Sequence, residues 1–354
     1  EYTGSGAEAP GPFSCNRKFR GMFYCIKMKN KFLYKLRSGK NPKFIYYAIN
    51  ACRLLMPKFF FRMRLHNRLE TLSRRNDRTY IEQRVNYYNK LTGPIKLPST
   101  APHLAEHKIG KQKVYFFDTY QYTRWFPVRF QWGFCPGDVT YVPQYPSIVK
   151  SRPLTLHNEN SVIMKLDKVR HFIFVNDKKT FESKKNMVIF RGKVKGKTSR
   201  KKFMEMYFHH PMCDLGDVSK NTTDPKEWQT EKKTIQEHLD YKFILALEGN
   251  DVASNLKWVM SSNSIAVMPQ PTCETWFMEG TLIPNYHYIE IKRDFSDLES
   301  RLQYYIEHID EAQEIIKHAN EYVSQFKDRK RENLISLLVL EKYFKETEQY
   351  HNKI

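Results

Sequence analysis

Residues 187–208 read MVIFRGKVKGKTSRKKFMEMYF. Met187 to Phe190 is an apolar run of strand length, RGKVKGK is a basic turn, and a helix is expected from about Ser199 to Phe208. The rhythm repeats downstream. Lys242 to Leu247 is the next apolar strand, followed by EGND and a segment that places Val252, Leu256, Val259 and Met260 on one helical face. Ser264 to Met268 and His287 to Ile291 supply two further strands. Ser296 and Glu299 have capping-box spacing and open another helix, and Ile309, Ile316 and Val323 extend the helical period toward the C-terminus. Strands alternating with helices predict an α/β fold with a parallel, doubly wound sheet, which binds ligands at the carboxyl ends of its strands.

Upstream the texture differs. Leu65, Leu69 and Leu72 recur at helical spacing, and a second helix is expected over Tyr80 to Leu91. KVYFFD, residues 113–118, reads as a strand. PGDVTYVPQYPSIVKSRP, residues 136–153, reads as short strands joined by loops of the kind that carry sites. Phe44 to Arg64 is very apolar, but Arg53, Pro57, Lys58 and Arg62 interrupt it before the roughly 20 residues a membrane span needs. It suits either a segment lying among lipid headgroups or a core helix with a basic outer face.

The 354 residues, 41% hydrophobic and 14% aromatic, suffice for a substantial core and about two domains. The formal net charge is +21. Between Arg17 and Arg75 there are 17 Lys or Arg and one acid, Glu70. Such a field attracts a nucleic acid, an anionic membrane or a phosphorylated glycolipid, without choosing among them. Six cysteines without paired spacing fit a reducing compartment, and no secretory signal is visible. Residues 1–27 read as a tag, linker or disordered start, with Met22 or Met28 as a candidate first residue.

Several segments can carry chemistry. In FRGKVKGKTSRKKF, Arg191, Gly192, Lys193 and Arg200 place cations and a strand end beside a helix start that Thr198 or Ser199 can cap, as a diphosphate requires; a solvated basic turn is the alternative. Glu248, Gly249, Asn250 and Asp251 form a strand-to-helix junction in which Asn250 or Asp251 can cap the helix. Lys257, on the face opposite Val252 and Val259, can reach a phosphate or face water. Glu274 and Glu279 in ETWFMEG can take the hydroxyls of a ribose or sugar. Asp138 in a Pro/Gly loop can serve as general base or as a structural turn residue, with Lys150 and Arg152 nearby in KSRP. The cluster His209, His210, Cys213 and Asp214 reads as packing rather than a metal site. No Asp-x-Asp pair occurs, so leaving-group charge would fall to cations and helix-terminal amides.

Taken in order, VIFRGK, LEGNDVASNLKW and ETWFMEGTLIPNYHYIEI resemble the family-90 glycosyltransferases, which include eukaryotic protein O-glucosyltransferases, capsule xylosyltransferases and bacterial lipopolysaccharide-modifying enzymes. GDVTYVP and IVKSRP point to the bacterial branch. The resemblance spans roughly Asp77 to Phe326. It implies a GT-B architecture, two Rossmann-like domains facing a cleft, with a basic N-terminal helical extension and C-terminal helices. It divides the chain into a membrane- or acceptor-facing segment (28–75), an acceptor domain (76–180), a nucleotide-sugar domain (181–325) and a C-terminal helix (326–354). It implies inverting transfer from a UDP-sugar, without a metal or other cofactor, to a hydroxyl of a lipopolysaccharide core or other surface glycan. The enzyme would then be peripheral on the cytoplasmic face of a bacterial inner membrane. By this resemblance Arg191 and Gly192 match the strand-end FRG, Ala253, Ser254, Asn255 and Lys257 the nucleotide-contacting helix start, Glu274 an acidic position near the donor, and Asp138 the base. The rival reading is a non-catalytic basic protein for nucleic acid or anionic membrane; it explains the charge but leaves the β/α pattern idle, and no RNP-type motif is present.

Overall fold

The computed structural model describes residues 39–350. The expectations for residues 1–27, and for the basic segment up to residue 38, lie outside the described residues. The chain opens with helices α1 (Lys43–Leu55) and α2 (Lys58–Glu70). They part at Met56-Pro57, where both residues are extended, because proline forbids the helical conformation to its predecessor and offers no amide to the ladder. Helices α3 (Arg78–Tyr88) and α4 (Lys113–Thr123) follow.

Helix α4 corrects the strand expected at KVYFFD. Aromatic and β-branched residues favour a strand locally, but here Tyr115, Phe116, Phe117, Asp118, Thr119 and Tyr122 are all buried. With neighbours on almost every side, packing overrides propensity.

Three short strands, β1 (Gly133–Cys135), β2 (Ser147–Val149) and β4 (Ser161–Ile163), form a parallel sheet in the order β1-β2-β4. Strand β3 (Ser151–Pro153) leaves that sheet and pairs antiparallel with β9 (Cys273–Thr275), tying the two halves of the chain together. The second parallel sheet has five strands in the order β10-β8-β7-β5-β6. They are β5 (Lys185–Gly192), β6 (Cys213–Asp217), β7 (Tyr241–Leu245), β8 (Ile265–Met268) and β10 (Ile289–Glu290). The expected β/α rhythm is therefore present. Strand alternation sends Val188, Phe243, Ile265 and Val267 into one core, and Ile189, Ile244, Ala266 and Met268 into another. Both faces of the sheet are thus covered, as its continuous apolar runs require.

Helices α5 (Thr198–Tyr207) and α6 (Leu298–Glu307) close one face with Phe203, Met204 and Leu302. Helix α7 (Ile309–Ser324) leads to α8 (Arg329–Glu346), whose Leu334, Ile335 and Val339 share a core with Ile148, Val149, Val162 and Ile163 of the first sheet. Two local expectations fail. The N-cap of α6 is Asp297, without a side-chain cap bond, and Ser296 bonds to Asp294 instead. The helix expected after EGND is a loop followed by a single turn, Leu256–Val259. Its apolar residues are buried on all sides, so their spacing did not mark one face.

Candidate active site

The carboxyl ends of both parallel sheets open on one cleft of about 450 Å³. From the first half come Asp138, just beyond β1, and Arg170 and His171, beyond β4. From the second come the β5 end with Arg191, Gly192 and Lys193, then Lys197, Arg200, and the loop from Gly249 to Asn255 beyond β7.

Asp138 follows Gly137, whose φ of +117° suits glycine alone. The loop is pinned to β3 by reciprocal bonds between Val139 and Ser151 Oγ at 3.1 and 2.9 Å. One carboxylate oxygen accepts from Lys150, and the other from Asn250 Nδ2 at 2.9 Å. Arg170 Nη2 stands 3.6 Å away. Burial raises the Asp138 pKa, but the hydrogen bond and charge of Lys150, with Asn250 and Arg170, outweigh it and hold the carboxyl below its ordinary 3.8. It is ionised at neutral pH. Lys150 is buried and reaches a second carboxylate, Asp251 Oδ2, at 2.6 Å. Asp138, Lys150, Asn250 and Asp251 are thus one network across the cleft.

The cleft is cationic. Eight Lys and Arg residues line the cleft against two carboxylates, Asp138 and Asp251. Arg200 gives its donors to the carbonyls of Glu248, Lys193 and Leu247 at 2.8–3.0 Å. Burial alone pulls its pKa down to about 10, the signature of a desolvated cation with no carboxylate at hand. Lys197 bonds to Asn250 Oδ1. Arg191 is less free: it pairs with Asp214 and donates to the Asp214 and Phe190 carbonyls, leaving its buried Nε without a partner. Gly192 admits no side chain, because a Cβ would lie 2.3 Å from the Phe190 ring.

A smaller cavity of about 70 Å³ adjoins the cleft, sharing Leu247 and Val252 with it and lined further by Glu248, Ala253, Leu256, Pro269 and Glu279. Glu248 is held by Thr272 N and Oγ1 at 2.8 and 2.6 Å. Ser254 and Asn255 line the cleft itself, and Asn255 Nδ2 donates to Leu245 O at 3.0 Å.

Several expectations need correction. Lys257 neither faces water nor reaches for a phosphate; fully buried, it pairs with Glu279 Oε1 at 2.6 Å. Glu279 also accepts from Thr275 N and Oγ1, so it borders the small cavity with both oxygens engaged. Glu274 does not join it. Register sets Glu274 opposite Arg152 in the β3–β9 pair, where both are buried and the carboxylate takes Arg152 Nε at 2.7 Å and the Tyr87 hydroxyl. Arg152 gives further donors to the carbonyls of Tyr87, Tyr88 and Ser161 and is fully buried, so it serves the core. Thr198 is the first residue of α5; Lys197 occupies the cap position, and no side-chain cap bond forms. Asn250 and Asp251 bind Asp138 and Lys150 rather than capping a helix. Cys213 is buried and its thiol is pushed up to about 12, Asp214 serves Arg191, and no metal-holding cluster occurs among the described residues.

The sequence reading missed Arg170, His171, Lys232, Lys233 and Trp258, all of which line the cleft. His171 is buried, neither ring nitrogen has a hydrogen-bond partner among the described residues, and its Nε2 lies 3.8 Å from Asp167 Oδ2. No spacing marks these residues. Only the fold brings them to the strand ends.

Two parallel sheets whose carboxyl ends meet at a cation-rich cleft beside an ionised carboxylate are the layout of an α/β protein with a ligand site at its strand ends. The comparisons agree. A family model described as glycosyl transferase family 90 matches residues 156–346. The chain is 42% identical over 267 residues to the O-glucosyltransferase LpsA of Dichelobacter nodosus, covering 75% of this chain and 83% of the relative. The protein belongs to glycosyl transferase family 90 and is a glycosyltransferase, which sets aside the non-catalytic reading.

Proposed function

We propose that the cleft takes a UDP-sugar and transfers the sugar with inversion to a glycan hydroxyl, with Asp138 as the base. The observation that carries this reading is the charge imbalance of the cleft around a single, largely buried acid network. A diphosphate would lie among Lys193, Lys197, Arg200 and the β5 end, where Arg200 is a desolvated cation and Lys193 an exposed one. The small cavity by Ala253, Leu256 and Pro269 suits one edge of a nucleoside. Asp138 comes from the other half of the chain than these cations, and inversion in one displacement needs a carboxylate on the side away from the leaving diphosphate. Because Lys150 and Asn250 occupy its oxygens, the incoming hydroxyl would displace the Asn250 amide nitrogen, freeing that donor for the phosphate while Asn250 Oδ1 keeps Lys197.

On this reading the two parallel sheets are the two Rossmann-like domains of a GT-B enzyme, dividing near residue 180. Lys, Arg and main-chain amides carry leaving-group charge without a divalent ion. The relative's name makes glucose the first sugar to test. The acceptor is a lipopolysaccharide core or other surface glycan, met at the inner face of a bacterial membrane. A thermal-shift screen over nucleotide sugars tests the donor assignment. Stabilisation by a uridine diphosphate sugar without added metal is expected; a response only to guanosine or cytidine sugars, or only with manganese, overturns it.

A further inference from the structure

On the other side of the turn Lys168–His171 lies a second cavity, of about 570 Å³. Arg170 and His171 face the catalytic cleft, whereas Lys168, Val169 and Phe172 line this second cavity. Helices α1 and α4 and the junction of α7 with α8 form its remaining walls, and it holds Arg53, Lys165, Lys327 and Arg329.

The charges here do not cancel. Glu332 is matched by Arg84 at 2.8 Å and by Lys165 at 2.8 Å. Lys168 stands 3.3 Å from Asp118. Arg53 bonds only to the neutral Asn50 side chain, and among the described residues neither it nor Lys327 nor Arg329 has a carboxylate within ion-pair distance. Three uncompensated cations around one cavity suit a phosphate group. The adjoining surface is apolar. Ile45 and Ile49 on the cavity wall are about half exposed, and Phe44 and Leu55 on the same helix are 84% exposed. Helix α2 adds Phe59, Phe60 and Met63, each more than half exposed. No helix among the described residues is long and apolar enough to cross a membrane. Exposed aromatic and aliphatic side chains rimmed by Lys and Arg are the composition of a helix lying in a headgroup layer.

We infer that this cavity binds the phosphate headgroup of an anionic lipid, with the apolar faces of α1 and α2 set into the acyl boundary of the membrane. A free phosphate would use the cations and leave the apolar residues without a role. A lipid uses both. The inference rests on the part of the proposed function that brings the enzyme to a membrane surface, and not on the donor. The single turn between the cavity and the cleft then fixes the height of the transfer site above the bilayer, so that a membrane-bound acceptor meets Asp138 from one side.

Cosedimentation with phosphatidylcholine vesicles, with and without phosphatidic acid, tests this. The protein should bind the phosphatidate vesicles about tenfold or more tightly, and the triple variant Arg53→Gln, Lys327→Gln, Arg329→Gln should lose most of that gain. A charge-matched control, Lys202→Gln, Lys226→Gln, Lys317→Gln, should keep it. Equal losses in the two triples would reduce the effect to overall charge and overturn the site, as would unchanged binding by the first. If inorganic phosphate stabilises the wild type but not the first triple, while vesicle binding is equal in both, the ligand is a soluble phosphate and the lipid assignment fails. UDP stabilisation of each variant is read in parallel: its retention with vesicle binding lost from the first triple supports the site, and its absence in every protein counts against the donor reading alone.

Discussion

Asn250 Nδ2 donates to Asp138 Oδ2 at 2.9 Å, linking the loop beyond β7 to the loop beyond β1 across the cleft. Since Lys150 also joins Asp138 to Asp251, the two halves share a polar network. Asn250→Ala removes two hydrogen bonds, one to Asp138 and one from Lys197, and leaves Lys150 in place. Stability should fall by only about 1 kcal/mol, while the KM for the donor rises. A structural role alone would move the unfolding midpoint and leave KM unchanged.

The pair Arg152–Glu274 is structural on the geometry, and its variants separate that role from acceptor binding. Arg152→Leu strands the Glu274 charge in the interior and should cost about 3–5 kcal/mol by urea unfolding. Adding Glu274→Leu should recover much of it, because an apolar pair replaces a buried ionic one. If Arg152 bound acceptor instead, the single variant would unfold normally and lose transfer.

Gly133 allows the first sheet to form as tightly as it does. A Cβ there would sit 2.4 Å from Pro146 O and 2.9 Å from Ser147 Cα, so Gly133→Ala must push β1 from β2. The expected cost is about 1–3 kcal/mol, with reduced transfer, because β1 leads directly to Asp138. An unchanged melting curve would contradict it.

The depressed Asp138 pKa has a definite sign. Its folded value lies below the ordinary 3.8, so its contribution to stability is complete above the unfolded value and is lost as pH falls through the lower folded one. Asp138 should therefore stay ionised down to the bottom of the carboxylate range. An acidic limb of the transfer profile at pH 6 or above that shifts in an Asp138→Glu variant would refute this assignment.

The β/α rhythm was legible because parallel strands buried on both faces are continuous apolar runs, as VIF at 188–190 and FILAL at 243–247 are. FRGK and EGNDVAS were legible as strand ends carrying cations, glycine and small polar groups, and the fold brings both to the cleft. KVYFFD misled because propensity records local preference, and its burial comes from distant partners. Lys257, Glu274 and Arg152 misled for a related reason: a charged side chain looks available in a sequence, and only the three-dimensional pairing shows that another charge has taken it. His171 could not have been found, because no spacing marks it and only the fold brings it to the cleft.

The central claim is that Asp138 takes the acceptor proton while the second half of the chain holds the donor. The most direct measurement is the Asp138→Asn variant, assayed for UDP affinity by calorimetry and for sugar transfer in a single turnover. The account predicts UDP affinity close to wild type with transfer reduced by roughly 100-fold or more. A folded Asp138→Asn protein with full transfer activity would contradict it.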